Sequence, residues 1–384
     1  MLDLTTFATA SLVTAAIALL LYNRWYGNLL SIPSKDEHLG FAEIGKQLGT
    51  NILSLSTLGT VIIVLNDIED AVNLLEKRSS IYSDRPRIPM LVEPSLLDCS
   101  RNPAFTPDRD WWKKSRRAMH QWLNKQAAVA FQPSQLHQTR LLLQRLLSKW
   151  GRLESSEELE LEIYQTTSGT ILHSVYGRRV QGANDIFVLK AKKAAENIMK
   201  GSLSSNFLVN LFPTLNRFPG WLPGMNWRKT AKKWREEIYD AIDSPYRWTK
   251  AEMEKGSHQS SIVESILEQL NQLGVKSSEA DDFVKEVGAV LFSGGIDTLT
   301  GTIMGFFVAM ILFPEAQAKA QQEIDLVTGS NRLPTIDDRS RLPYVGRLIN
   351  ELFRWRPTVP NGIPHVSLKD DIYKGYYIPR GAIV

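Results

Sequence analysis

From near Ser278 to Leu312 the chain keeps a helical pattern with no proline until Pro314. Val284, Val287, Ala289, Val290, Leu291 and Phe292 leave its middle apolar on nearly every side. A helix of about 35 residues is roughly 50 Å long at 1.5 Å per residue. One that is apolar all round has to cross the core of a large body, and everything else must pack around it. At its centre stands Ser293-Gly294-Gly295-Ile296-Asp297-Thr298. Two adjacent glycines cost about 2 kcal/mol in helix propensity relative to alanines. An acid and a hydroxyl then enter surroundings where unpaired polar groups are costly. The glycines let something flat or bulky approach the backbone, and Thr298 can bond back toward Gly294 or offer its hydroxyl to a ligand. The same residues would also make a packing notch for a crossing helix, with Asp297 paired to a base. The segment is no phosphate loop, since neither GxxxxGK[ST] nor GxGxxG occurs. It predicts one continuous helix over 280–312, distorted at Gly294-Gly295, with Thr298 facing a ligand-sized cavity.

Around this helix the pattern is mainly α. Apolar periodicity predicts helices over 108–129, 133–149, 157–176, 184–200, 227–253 and 260–272, then two more opening at Pro314 and Pro343. Before them, a short helix over 41–48 leads into two β-branched runs split by Gly59, a hairpin, and Asp67 caps the helix 69–77. Five prolines make Tyr82 to Pro107 mostly loop, and the tail from Thr358 to Val384 has strand-and-turn character. Phe207 to Pro223 is too broken for a helix and too apolar for an ordinary loop. It reads as a substrate-channel lid, a membrane-touching patch or a buried connector. The basic run from Arg228 to Arg235 behind it is a solvated helix face or a contact for anionic lipid.

Forty-five basic against 41 acidic residues in 384 is too even for a nucleic-acid binder. A single cysteine, Cys99, excludes an intrachain disulfide and a cysteine-based zinc site, and the six scattered histidines form no HExxH. Between Asp3 and Arg24 lie 20 residues without a charge, followed by Trp25-Tyr26. They reach roughly 30 Å as a helix, one hydrocarbon thickness. A cleaved signal peptide would carry a basic start and a shorter apolar run. The segment is therefore expected to be an uncleaved single-span anchor, with the flanking Arg24 favouring a cytoplasmic body.

Two further pairs stand out. Glu351 and Arg354 are three apart on an apolar helix face, so they can pair, with partial burial. Trp112 and Arg116 face the same way, an indole donor beside a guanidinium, able to grip a buried carboxylate or simply to stack at the surface.

Taken in order, these pieces resemble the haem-thiolate monooxygenases of the cytochrome P450 family in their fungal, membrane-anchored form. The pieces are Tyr82-Ser83-Asp84-Arg85-Pro86, Trp112-xxx-Arg116, Gly294 to Thr298, Glu351-xx-Arg354, Pro364-His365 and Gly375 to Pro379. The resemblance implies a mainly α fold with small β regions: an incomplete P450 domain over 28–384 behind an anchor over 1–27. It implies that Gly295, Asp297 and Thr298 line the oxygen side of a haem and relay protons. Glu351 and Arg354 would form a structural salt bridge behind the haem, and Trp112, Arg116 and His365 would hold its propionates. A membrane reductase, a hydrophobic small-molecule substrate and the endoplasmic reticulum membrane are the implied partners and place.

Two departures accompany the matches. Arg24-Trp25-Tyr26 runs into Gly27-Asn28-Leu29-Leu30 without a Pro-rich hinge, and the glycine-rich loop with the family's ligand cysteine has no counterpart up to Val384. Cys99 lies before the Trp112 helix, where the family has no iron ligand. Haem iron in this family needs a thiolate to push electron density toward O–O cleavage. The expectation is a truncated monooxygenase, inactive as it stands. The alternatives are an incomplete gene model of an active enzyme and a non-catalytic membrane-tethered protein.

Overall fold

The computed structural model describes residues 36–384, apart from single positions at 58, 150, 183, 204, 205 and 330. The expected anchor and its flank, residues 1–27, lie outside the described residues. The chain falls into two units, one made of residues up to Pro86 with Asn361–Val384, the other of Arg87–Pro360.

The first unit is built on a hairpin. Helix α1 (Glu37–Leu48) precedes β1 (Ile52–Thr57) and β2 (Thr60–Leu65), antiparallel with Ile52 opposite Leu65 and Thr57 opposite Thr60. Leu53 and Leu55 point inward onto Phe41 while Ser54 and Ser56 face water, the period-two pattern of a half-buried strand. Gly59, at φ +80°, turns the hairpin where a side chain would strain the backbone. Asp67 caps α2 (Ile68–Ala71) by accepting from the Glu69 amide at 2.7 Å, and the helix widens into a π-type turn over Val72–Lys77. The tail returns through β3 (Asp371–Tyr373) and β4 (Tyr376–Ile378). Ile383 then joins the hairpin, accepting from the Ile63 amide at 2.7 Å and donating to the Val61 carbonyl at 2.9 Å. Asp371 ties the two stretches together, accepting from Arg78 at 2.7 Å and from the Tyr82 hydroxyl at 3.0 Å.

The second unit is helical: α3 (Pro89–Val92), α4 (Arg109–Leu123), α5 (Gln132–Ser148), α6 (Ser156–Tyr176), α7 (Ile186–Ser202), α8 (Trp227–Glu254), α9 (Ile262–Leu273), α10 (Ala280–Leu312), α11 (Pro314–Thr328) and α12 (Pro343–Trp355). Helix α4 ends earlier than periodicity predicts because Asn124 closes it. Its side-chain amide donates to the His120 and Gln121 carbonyls, and its oxygen accepts from the Gln126 and Ala127 amides. The first half of α10 runs through the largest core. Phe283 meets Trp111 edge-on at 5.3 Å, Phe292 meets Tyr176 at 5.8 Å, and Val284 and Val287 pack with Val263 and Leu172.

Tyr82–Pro107 is mostly loop, as its prolines predict, apart from the short α3, and within it Met90, Leu91, Leu96 and Leu97 are fully buried against α7 and α8. Other expectations need correction. The fold class, a P450 body behind one N-terminal membrane helix, is corrected. Among the described residues the one helix long and apolar enough to cross a membrane is Ser277–Leu312, with mean hydropathy 1.6. Length and apolarity do not separate a span from a core helix: Phe283, Val287 and Phe292 pack its first half into the largest core, while only 22% of its most apolar stretch is buried. Finally, α10 is an unbroken α-helix with no distortion at Gly294-Gly295.

Candidate active site on the central helix

The two central glycines do different work. A Cβ on Gly295 would come within 3.0 Å of Ile171 on α6, so this glycine is the notch that lets two helices approach. A Cβ on Gly294 would meet nothing within 4 Å. From Gly294 an exposed stripe continues through Thr298 to Gly301, one turn apart each. The Thr298 hydroxyl donates to the Gly294 carbonyl at 2.8 Å, and Thr302 donates to the Thr298 carbonyl at 2.8 Å. Thr358 lies beside them, 3.2 Å from the Thr302 hydroxyl. The Thr298 oxygen keeps its acceptor capacity for a ligand on an open helix face, where an enclosed cavity was expected.

Asp297 looks elsewhere. Loss of water raises its carboxyl above the usual range, Lys192 on α7 opposes this, and Glu160 and Glu196 add to it. Its charge in turn reaches Tyr164, over whose ring Lys192 sits at 5.2 Å. Asp297 and Thr298 are thus neighbours in sequence with separate surroundings.

The Arg116 guanidinium lies over the Trp112 ring at 5.3 Å, and the arginine is exposed. Of the two readings of this pair, the stack is the one present. Glu351 and Arg354 form a two-point ion pair at 2.8 and 2.6 Å, but both side chains are more than half exposed rather than partly buried. Leu352 between them faces in, toward Gly305 of α10. Apolar side chains stay open on α12 and at the end of α10, with Phe353 55% and Ile311 79% exposed.

His365 belongs to the other unit. Its Nδ1 donates to the Tyr82 carbonyl at 2.6 Å, which leaves Nε2 as an acceptor. Burial and the nearby Arg85 lower its pKa, with the Tyr82 contact opposing. A neutral ring so pinned needs a second proton before it can donate to a carboxylate.

Fold and site together define a mainly α-helical protein threaded by one long helix, with a glycine-and-threonine stripe at its middle and a glutamate–arginine pair on a late helix. Comparison with known proteins gives the family. The model of the family described as "Cytochrome P450" matches residues 22–384. Cytochrome P450 monooxygenase COX2 of Coprinopsis cinerea is 34% identical over 359 residues, 93% of this chain and 66% of its own. Cytochrome P450 monooxygenase 208 of Postia placenta is 35% identical over 93% of this chain and 67% of its own. A zebrafish cytochrome P450 structure with progesterone superposes with a TM-score of 0.71 at 22% identity, covering 90% of this chain and 78% of that one. The chain belongs to the cytochrome P450 family. It spans about two thirds of the length of the fungal relatives it matches.

Haem binding is a property of that family, and the residues described suit it in part. The open Gly294–Thr298 stripe admits a flat group. The donor set does not suit its iron. Cys99 is buried, and burial, reinforced by Glu286 and Asp98, pushes its thiol up to about 12, so it stays protonated. Among the described residues no cluster of three or more His, Cys, Asp or Glu is arranged to hold a metal ion.

No residue pattern pointed to Glu286, buried on α10 with one carboxylate oxygen unpartnered. The one available signal is an acid set between Val284 and Val287 on an apolar helix.

Proposed function

We propose that these residues form the oxygen-side and substrate-side framework of a haem-thiolate monooxygenase acting on a hydrophobic small molecule with electrons from a membrane reductase. The carrying observation is the Gly294–Thr298 stripe, a side-chain-free opening on an otherwise apolar core helix. In this reading Gly294 admits the flat ligand, and the Thr298 oxygen accepts a hydrogen bond from what lies over it. Asp297, its carboxyl raised by loss of water with Lys192 opposing, is the proposed proton relay on the α7 side. Trp112 and Arg116 remain the proposed partners for haem carboxylates, and Glu351 with Arg354 the brace of α12. The fungal relatives named as monooxygenases and the steroid in the zebrafish structure support the reaction and substrate class. With Cys99 protonated and buried, the 384 residues by themselves are expected not to insert oxygen.

The test uses progesterone as an apolar probe, followed by quenching of tryptophan fluorescence in the full chain. Saturable binding is expected, weakened at least tenfold by Gly294→Phe and unchanged by Leu326→Phe on the exposed side of α11. Equal binding to both variants would remove the stripe from the site, and no binding would remove the hydrophobic-ligand reading.

The proposed place is the cytoplasmic face of the endoplasmic reticulum membrane. Support comes from Phe207–Pro223, where Leu208, Phe212, Phe218 and Trp221 are exposed ahead of the basic start of α8. Vesicles containing phosphatidylserine should sediment the chain, and Phe218→Ser with Trp221→Ser should release most of it. Undiminished sedimentation of the double variant would contradict contact through this segment.

A further inference from the structure

Away from the Gly294–Thr298 stripe, a cavity of about 620 Å³ opens between residues 98–101, α8 and the first turns of α10. Its charges do not balance. Arg101 is bonded to Asp282, and Lys285 and Arg247 are bonded to Asp243 at 2.7 and 2.6 Å. Asp240 is taken by Lys190 at 2.8 Å. Two lining carboxylates are left without a cation. Asp98 accepts only hydroxyl bonds, from Tyr239 at 2.8 Å and Ser100 at 3.4 Å. Glu286 is 7% exposed, and its Oε2 has no hydrogen-bond partner.

Such a carboxylate is expensive. A buried unpaired acceptor forfeits about 1–3 kcal/mol, more when charged, and an apolar residue at this point of α10 would avoid that cost. The groups facing Glu286 are Asp98, Cys99 and Arg101 from the loop, Tyr239 from α8, Tyr176 from α6 and Asp282 on its own helix. Burial pushes its carboxyl up to about 7, with Asp282 and Asp98 adding to the rise and Arg101 opposing it.

We propose that this cavity binds a small organic ammonium ion, an aliphatic primary amine whose nitrogen is held by Glu286 and Asp98 and whose carbon chain lies along Tyr239 and Ile242. An ammonium group brings three donors, matching two carboxylates and a neighbouring oxygen. A divalent metal ion would need about six oxygens in a tight shell, and among the described residues no such cluster exists. The volume is that of a small-molecule site. A smaller void of about 10 Å³ beside Glu286, lined also by Cys99 and Asn102, is no larger than one water.

The experiment is calorimetric titration of the full chain with 1,4-diaminobutane at pH 8 and low salt, with 1,4-butanediol as the neutral control. One saturable site is expected for the diamine and none for the diol. Glu286→Gln and Asp98→Asn should each weaken binding at least tenfold, and Glu157→Gln at the exposed start of α6 should leave it unchanged. Lowering the pH through 7 protonates Glu286, so wild-type affinity should fall there, and the fall should vanish in Glu286→Gln. Asp98→Asn keeps a residue tolerant of the local φ of +58° and carries the test if Glu286→Gln lowers the folded yield. No binding at millimolar diamine, wild-type affinity in Glu286→Gln or Asp98→Asn, or equal binding of the diol would overturn the proposal. Any of these would leave Glu286 as a group satisfied by one water.

Discussion

Glu162 illustrates how a single residue can hold two helices. Its carboxylate, on α6, is reached by Arg145 Nε at 2.5 Å and Lys149 Nζ at 2.6 Å, both from the end of α5, and Arg145 also donates to Thr166 at 2.6 Å. Burial alone would raise its pKa. Lys149 and Arg145 outweigh that, so the net shift is downward. A depressed folded-state pKa means stability that is present above the unfolded value and is lost as pH falls through the folded one. Glu162→Gln should therefore cost about 1–3 kcal/mol at pH 7. The gap between variant and wild type should begin to narrow as pH falls below the unfolded carboxylate value of about 4.3, and narrow further as the native carboxylate protonates. Thermal melts at pH 7 and pH 3.5 check this, and a gap that persists unchanged at pH 3.5 would contradict it. Little at this scale was legible beforehand. Glu351 and Arg354 were, because three-residue spacing on one helix face dictates contact. Glu162 and Glu286 were not, because their partners, or lack of them, come from helices far apart in sequence.

The central helix shows what an element's sequence does and does not reveal. Its length follows from the absence of proline before Pro314, and the structure gives Ala280–Leu312. The different duties of its two glycines follow from α6, and no local rule anticipates Ile171 against one and open space over the other. Their substitutions should separate. Gly294→Ala adds helix propensity at no steric cost and should stabilise by about 0.8–1 kcal/mol. Gly295→Leu drives a side chain into Ile171 and should destabilise by about 1–3 kcal/mol. Denaturant melts would show it, and changes of the same sign would refute the division. The bend between Leu123 and Gln132 was hidden for a similar reason. Asn124 ends α4 with its side-chain amide, against a periodicity that runs on. Burial of Met90, Leu91, Leu96 and Leu97 was invisible because it is created by α7 and α8, while the local prolines speak for loop.

At the scale of the whole molecule, the helical order, the hairpin and the strand-and-turn tail were readable, because each rests on periodicity, turn residues or proline. The fold-class expectation of an N-terminal span is what needs correcting: among the described residues the one helix of membrane-spanning length and apolarity is Ser277–Leu312, which the sequence pattern already reads as a core helix. The family rests on a match over residues 22–384 and on two fungal relatives each covered over about two thirds of its length. The account's central claim is that these residues supply the oxygen side of a haem-thiolate site while Cys99 has no part in holding iron. The most direct measurement is the spectrum of the 384-residue chain given haem, reduced and placed under carbon monoxide, compared with Cys99→Ser. The account predicts no thiolate-type shifted Soret band in either protein and superimposable spectra. A stoichiometric thiolate-type band in the wild type that disappears in Cys99→Ser would contradict it.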